Sequence, residues 1–169
     1  MPTRAFIGLG SNLAHPRRQL ARAVARLGAI PGVRVLAVSP NYVSAPISSL
    51  AQPDYVNAVA LVATMLSPRV LLARLHAIER RQKRRRDAST PPNAPRTLDL
   101  DLLLYGARRI RSPEVTVPHP RMHQRAFVLR PLTDIMPAIT IPGRGFARRF
   151  LPDVRAQRIA RTHTHRTLT

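Results

Sequence analysis

Residues 96–105, Arg-Thr-Leu-Asp-Leu-Asp-Leu-Leu-Leu-Tyr, constrain the fold of this chain more than any other stretch. Leucines and polar residues alternate through its first half, the period of a half-buried β-strand. Such a strand places Leu98, Leu100, Leu102 and Leu104 on a core face and Asp99 and Asp101 on the opposite one. Residues two apart on a strand are separated by about 6.6–7 Å, so both carboxylates address the same space. Asp is disfavoured in strands, and two of the chain's 8 acidic residues stand here, against 28 lysines and arginines. In so basic a chain the pair reads as a platform for hard cations such as two Mg2+ ions. Phosphate oxygens and water would complete each octahedron. A merely exposed strand face is the plainer alternative, and the scarcity of acidic residues weighs against it.

A chain of 169 residues with 44% hydrophobic content suffices for one domain with its own core. No apolar run approaches the ~18 residues of a membrane span. The N-terminus lacks the apolar segment of a signal peptide, so a cytoplasmic protein without membrane attachment is expected. The absence of cysteine excludes disulfides, thiolate metal sites and cysteine nucleophiles together. The net charge of +20 is almost wholly arginine, because Lys83 is the only lysine. Arginine suits bidentate phosphate recognition, although genomic base composition can supply the same excess. Charge by itself does not choose among a nucleotide, RNA and a membrane surface.

Arg4 to Leu9 reads as a strand that ends in the turn Gly10-Ser11-Asn12. Gly8-x-Gly10 is not a dinucleotide fingerprint, since Leu13 stands where a third glycine is needed. From Pro16 to Gly28 the pattern is helical, with Leu20, Val24 and Leu27 on one face. Val33 to Ser39 reads as a second strand, Val43 to Asp54 as a loop, and Tyr55 to Thr64 as a third strand. On that strand Tyr55, Asn57 and Val59 share a face. Ser67-Pro68 starts a second helix, with serine as cap and proline in the first turn. Leu71, Leu75 and Ile78 form its buried stripe, and His76, Glu79 and Arg80 lie on another face. A basic segment and a proline-rich loop then lead into the Asp strand. Residues from about Gly143 onward, rich in Arg, His and Thr, are expected to form a poorly ordered basic tail. The domain is thus expected over 1–142 and the tail over 143–169.

The order β-α-β-β-α-β with short connections predicts a ferredoxin-like α/β sandwich, one antiparallel sheet with two helices on one face. The other face would be free for a ligand, and Asp99 and Asp101 would point into it.

Four short anchors then stand in order: Gly8-Leu9-Gly10-Ser11-Asn12-Leu13, Gln52-Pro53-Asp54-Tyr55-Val56-Asn57-Ala58, Pro95-Arg96-Thr97-Leu98-Asp99-Leu100-Asp101 and Val117-Pro118-His119-Pro120-Arg121-Met122. Together they make the stretch from Ala5 to Pro142 resemble the 6-hydroxymethyl-7,8-dihydropterin pyrophosphokinase family of folate biosynthesis. The resemblance implies transfer of an intact pyrophosphoryl group from ATP to the hydroxymethyl of a reduced pterin, with release of AMP. It implies that Asp99 and Asp101 hold two Mg2+ ions, and that Arg84, Arg96 and Asp101 serve the transfer. Asp101 is also the nearest candidate base, though a metal-bound carboxylate is a weak one. Tyr55, Asn57 and Phe127 match pterin-site positions, and the loop Ser44-Ala45-Pro46-Ile47 would offer the pterin backbone hydrogen bonds. His76, Glu79, Arg86, Arg96, His119 and Arg125 match nucleotide-contacting positions.

The chain departs from the family pattern around the basic loop. Lys83 stands where glycine is usual, Asn93-Ala94 where Trp-Gly is usual, and the loop is slightly longer. These changes predict an active enzyme, expected to be a monomer, with weakened closure over ATP. The rival readings are a diverged pterin or nucleotide binder without efficient transfer, and a basic RNA-binding module. The second is disfavoured because the strands lack the Phe/Tyr-rich pattern of RNA recognition motifs.

Overall fold

The computed structural model describes residues 1–47, 50–82 and 95–162. Its main sheet contains β1 (Thr3–Ser11), β2 (Val33–Val38), β3 (Tyr42–Ser44), β4 (Tyr55–Thr64), β5 (Asp99–Tyr105) and, from the far end of the chain, β10 (Ile159–Arg161). All pairings are antiparallel. β1 lies between β4 and β5, and β4 carries β2 and β3 one after the other on its outer edge. Helices α1 (Pro16–Gly28) and α2 (Pro68–Arg81) follow β1 and β4. The strand order, with two crossover helices on one face, is the ferredoxin-like arrangement that the sequence predicts.

Both helices begin as their residues dictate. Pro16 and Pro68 occupy the first turn, where a missing N–H costs nothing, and the Ser67 hydroxyl accepts the Val70 N–H at 3.3 Å. Leu20 and Leu27 of α1 and Leu71, Leu75 and Ile78 of α2 pack on Ala5, Ile7, Leu9, Ala58, Ala60, Leu100 and Leu102 of the sheet.

The opposite face differs from expectation. A third helix, α3 (Ala126–Ile135), lies across half of it, burying Val128, Leu129 and Leu132 against Phe6, Val59, Leu61, Leu103 and Leu104. Only the half toward the C-terminal end of β1 stays open. Leu104 accordingly faces α3 and not α1 and α2, because the β1–β5 register slips. Phe6 pairs with Leu104 while Ile7 pairs with Leu102, so Leu103 is the extra residue of a bulge. Beyond the bulge, inward and outward positions exchange, and Tyr105 joins the first core.

The loop expected over Val43 to Asp54 gives up its first two residues to β3. The poorly ordered tail expected over 143–169 is corrected for residues 143–162, which are built into the domain, while residues 163–169 lie outside the described residues. Two short hairpins precede and accompany this stretch: β6 (Ile110–Arg111) with β7 (Thr116–Val117), and β8 (Thr140–Ile141) with β9 (Gly145–Phe146). Two 3-10 turns then bury Ala147 and Val154 against the α3 core, and β10 pairs with β3. Composition misleads here because the few apolar residues that anchor the segment are spread among exposed arginines.

Candidate active site

The open half of the sheet is the floor of a cleft lined by Gly8, Gly10, Tyr55, Asn57, Asp99 and Asp101. Register explains the space. Gly8 and Gly10 of β1 lie opposite Asp101 and Asp99 of β5, and opposite Val59 and Asn57 of β4. Two glycines in the central strand therefore leave the floor low between the carboxylates and the Asn57 amide. At Gly10 no other residue fits easily, since an added Cβ would lie 3.0 Å from Asn57 Nδ2. One wall is Ser44, which ends β3, with Ala45 and Ile47 just beyond it. The other is Arg125, Phe127 and Val128 at the start of α3.

Asn57 is 5% exposed, and its Oδ1 accepts the Ser44 hydroxyl at 2.5 Å. That bond fixes the amide orientation and leaves Nδ2 as the donor above Gly10. Behind the cleft, Asn12 is a buried junction. Its backbone N–H donates to the Arg96 carbonyl at 3.1 Å and its Oδ1 accepts the Arg96 N–H at 2.8 Å. Its Nδ2 donates to Gln52 Oε1 at 2.8 Å and to the Pro53 carbonyl at 3.0 Å. One side chain thus ties together the loops that carry Arg96 and Tyr55.

Charge alternates across the site. Arg96 Nη1 lies 3.0 Å from Asp99 Oδ2, and Arg125 Nη1 lies 3.9 Å from Asp101 Oδ2. Burial pushes the Arg125 guanidinium down, while Asp101 and then Asp99 support its charge. Its Cζ also lies over the Phe127 ring, 5.5 Å from the centroid. Among the described residues no group of three or more His, Cys, Asp and Glu side chains gathers in metal-binding positions. The partly exposed carboxylates of Asp99 and Asp101 are the hard oxygen donors that Mg2+ takes, with phosphate and water supplying the remaining oxygens, while Arg96 and Arg125 suit the phosphates.

Of the residues singled out from the sequence, Ser44, Ala45, Ile47, Tyr55, Asn57, Arg96, Asp99, Asp101, Arg125 and Phe127 line this one cleft. Pro46 lines the groove that continues the cleft outward. The Ala45 N–H, expected to face a ligand, instead donates to the Arg158 carbonyl at 3.1 Å.

Three other expected residues are not among the side chains that line the cleft. His76 is half-buried on α2. Glu79 is fully buried, and its Oε2 accepts the Leu100 N–H at 3.2 Å, so its carboxylate caps the outer edge of β5 between the two aspartates. His119 lines a separate basic groove with Arg109, Arg111 and Arg144. Burial, then the charge of Arg125, pushes its imidazole down to about 4, against a smaller opposing effect of Asp99. Its Nδ1 accepts the Arg121 N–H at 3.1 Å, so the neutral ring carries its proton on Nε2. Arg84, Arg86 and the altered lid positions Lys83, Asn93 and Ala94 lie outside the described residues. Sequence reasoning missed the roles of Gly8, Gly10 and Asn12. Glycine inside a strand is the signal that could have found the first two.

The sequence pattern of 7,8-dihydro-6-hydroxymethylpterin-pyrophosphokinase (HPPK) matches residues 6–137. A Pseudomonas aeruginosa protein named 2-amino-4-hydroxy-6-hydroxymethyldihydropteridine pyrophosphokinase is 46% identical over 84% of this chain and 86% of its own length. A Haemophilus influenzae protein of the same name is 43% identical over 82% and 84%. Among solved structures, Plasmodium falciparum HPPK-DHPS A437G with SDX-DHP aligns with a TM-score of 0.70 at 13% identity, over 90% of this chain and 45% of that one. That likeness concerns the fold, and this chain spans less than half of the larger one. A pattern match across most of the chain and relatives at this level of identity agree: the chain belongs to the HPPK family.

Proposed function

We propose that this protein transfers the pyrophosphoryl group of ATP to 6-hydroxymethyl-7,8-dihydropterin, giving AMP and the pterin pyrophosphate. The hydroxymethyl oxygen attacks the β-phosphorus, the bond from that phosphorus to the α,β-bridging oxygen breaks, and AMP leaves with the electron pair. The observation that carries the reading is the single cleft in which an Asp pair, two arginines, a fixed amide and an aromatic side chain meet.

The pterin is read as lying between Phe127 and Tyr55, with its polar edge on Asn57 Nδ2. Because Ser44 fixes the amide, that donor is in place before the ligand arrives. Asp99 and Asp101 would hold two Mg2+ ions together with phosphate oxygens; when bound, the ions neutralise phosphate charge and align the reacting groups. Arg96 and Arg125 place two further positive charges against the phosphates. Such a transfer asks the protein chiefly for alignment and charge stabilisation, which is what these side chains supply. The hydroxyl proton leaves to solvent or to Asp101, which is the carboxylate nearest Arg125. His119, neutral and donating through Nε2, suits a hydrogen bond to nucleotide oxygen or nitrogen without adding charge.

The test is AMP quantified from purified protein, ATP and Mg2+, with and without the pterin. AMP that forms only with the pterin supports the reading. AMP formed equally without it, or none in its presence, overturns the reading.

A further inference from the structure

The segment beyond the family's matched residues is bound to both walls of the cleft at once. On one wall, Gln157 Oε1 accepts the Ala126 N–H at 2.9 Å and Gln157 Nε2 donates to the Gln124 carbonyl at 2.8 Å. Ala126 is the residue before Phe127, and α3 has no side-chain cap of its own at Arg125. Gln157 therefore caps, from outside, the helix end that presents the aromatic ring. On the other wall, the Arg158 guanidinium grips Asp54 with two parallel bonds of 2.7 and 2.8 Å, and its carbonyl accepts the Ala45 N–H. Asp54 is the residue before Tyr55. β10 then continues along β3, and Arg161 bonds Asp134 at the far end of α3 at 2.8 Å. Gln157, Arg158 and Ile159 together line the groove that extends the cleft outward past Phe127 and Ile47.

From this geometry we infer that Gln157 and Arg158 form a bracket that sets the distance from Phe127 on one wall to Ala45 on the other and to Tyr55 on the floor between them. They are positioning residues for the pterin. One residue holds the aromatic wall, its immediate neighbour holds the opposite wall, and the single peptide between them fixes the separation. Neither side chain is part of the cleft lining itself, so the bracket acts through Ala126, Ala45 and Asp54. The inference rests on the pterin-site reading above, and its expected signature is selective. Gln157 holds the residues on both sides of Arg125, which faces the phosphates, so the selective signature belongs to Arg158, whose side chain bonds Asp54 alone.

The experiment compares Gln157→Ala, Arg158→Ala and the exchanged pair Asp54→Arg with Arg158→Asp. Each is assayed for pterin and ATP KM, for direct pterin binding by calorimetry, and for melting temperature. Each single variant loses two side-chain hydrogen bonds and is expected to bind pterin about three- to tenfold more weakly; in Arg158→Ala, which leaves the residues flanking Arg125 held, ATP KM stays within about twofold. The exchanged pair should recover pterin affinity relative to Arg158→Ala, because the ion pair is restored in reverse. Unchanged pterin affinity in the folded variants would overturn the bracket. So would a parallel loss of pterin and ATP affinity in Arg158→Ala that tracks the melting temperature, the mark of a purely structural role. Wild-type protein that binds pterin but makes no AMP would defeat the transfer reading while leaving the bracket to be judged on binding. Wild-type protein that binds no pterin would overturn both.

Discussion

At the scale of single residues, the site depends on side chains whose work is done by absence or by burial. Gly8 and Gly10 supply no atoms, yet they clear the floor between Asp99, Asp101 and Asn57. Burial holds His119 neutral, which has a consequence for stability. Its folded pKa of about 4 lies below the ordinary value of 6.5, so between those values the unfolded chain binds the extra proton. Stability contributed by the neutral ring is present above pH 6.5 and is lost as pH falls toward 4. Urea denaturation from pH 7 to pH 4 should show a steeper decline for the wild type than for His119→Asn, which keeps an acceptor for the Arg121 N–H. Identical pH slopes would contradict this assignment. At this scale the sequence was informative where chemistry is carried by residue type. The Asp pair was legible from alternation and Asn57 and Tyr55 from a motif, whereas Phe127 was reached only through the family resemblance. The buried bond of Glu79 to the Leu100 N–H was not legible, because helical periodicity places a residue on a face without saying what reaches it.

At the scale of elements, β5 carries the most. Its inner edge pairs with β1, and its outer edge is met by the buried Glu79 carboxylate at the Leu100 N–H. Glu79→Ala would leave that buried N–H without this acceptor. A loss of about 1–3 kcal/mol in unfolding free energy is expected. Glu79→Gln, which retains an acceptor oxygen, should lose less. Equal destabilisation by the two substitutions, measured by urea denaturation, would show that Glu79 does not cap the strand. The two crossover helices were legible because capping, proline placement and apolar spacing agreed with one another. The bulge at Leu103 was not, since Leu-Leu-Leu carries no mark of where register slips. Helix α3 escaped notice for a related reason: Pro131 interrupts its pattern, and its cap is contributed by Gln157, 31 residues away.

At the scale of the whole molecule, two cores lie on either side of one sheet, and the cleft is the part of the sheet that the second core leaves uncovered. That second core depends on the C-terminal segment, through buried Ala147 and Val154 and the packing of Phe150, Leu151 and Ile159. A chain ending at Pro142 should therefore unfold at least about 3 kcal/mol more easily, as expected for stripping several apolar contacts. An unchanged unfolding curve would return the segment to the status of a tail. No helix among the described residues is long and apolar enough to cross a membrane.

The central claim is that Asp99 and Asp101 form the platform on which pyrophosphoryl transfer takes place. Its most direct measurement is AMP formation by the Asp99→Ala/Asp101→Ala variant, set beside its pterin binding by calorimetry. The account predicts a folded protein that still binds pterin through Asn57 and Phe127 but releases no AMP at any Mg2+ concentration. AMP release at the wild-type rate from that variant would contradict it.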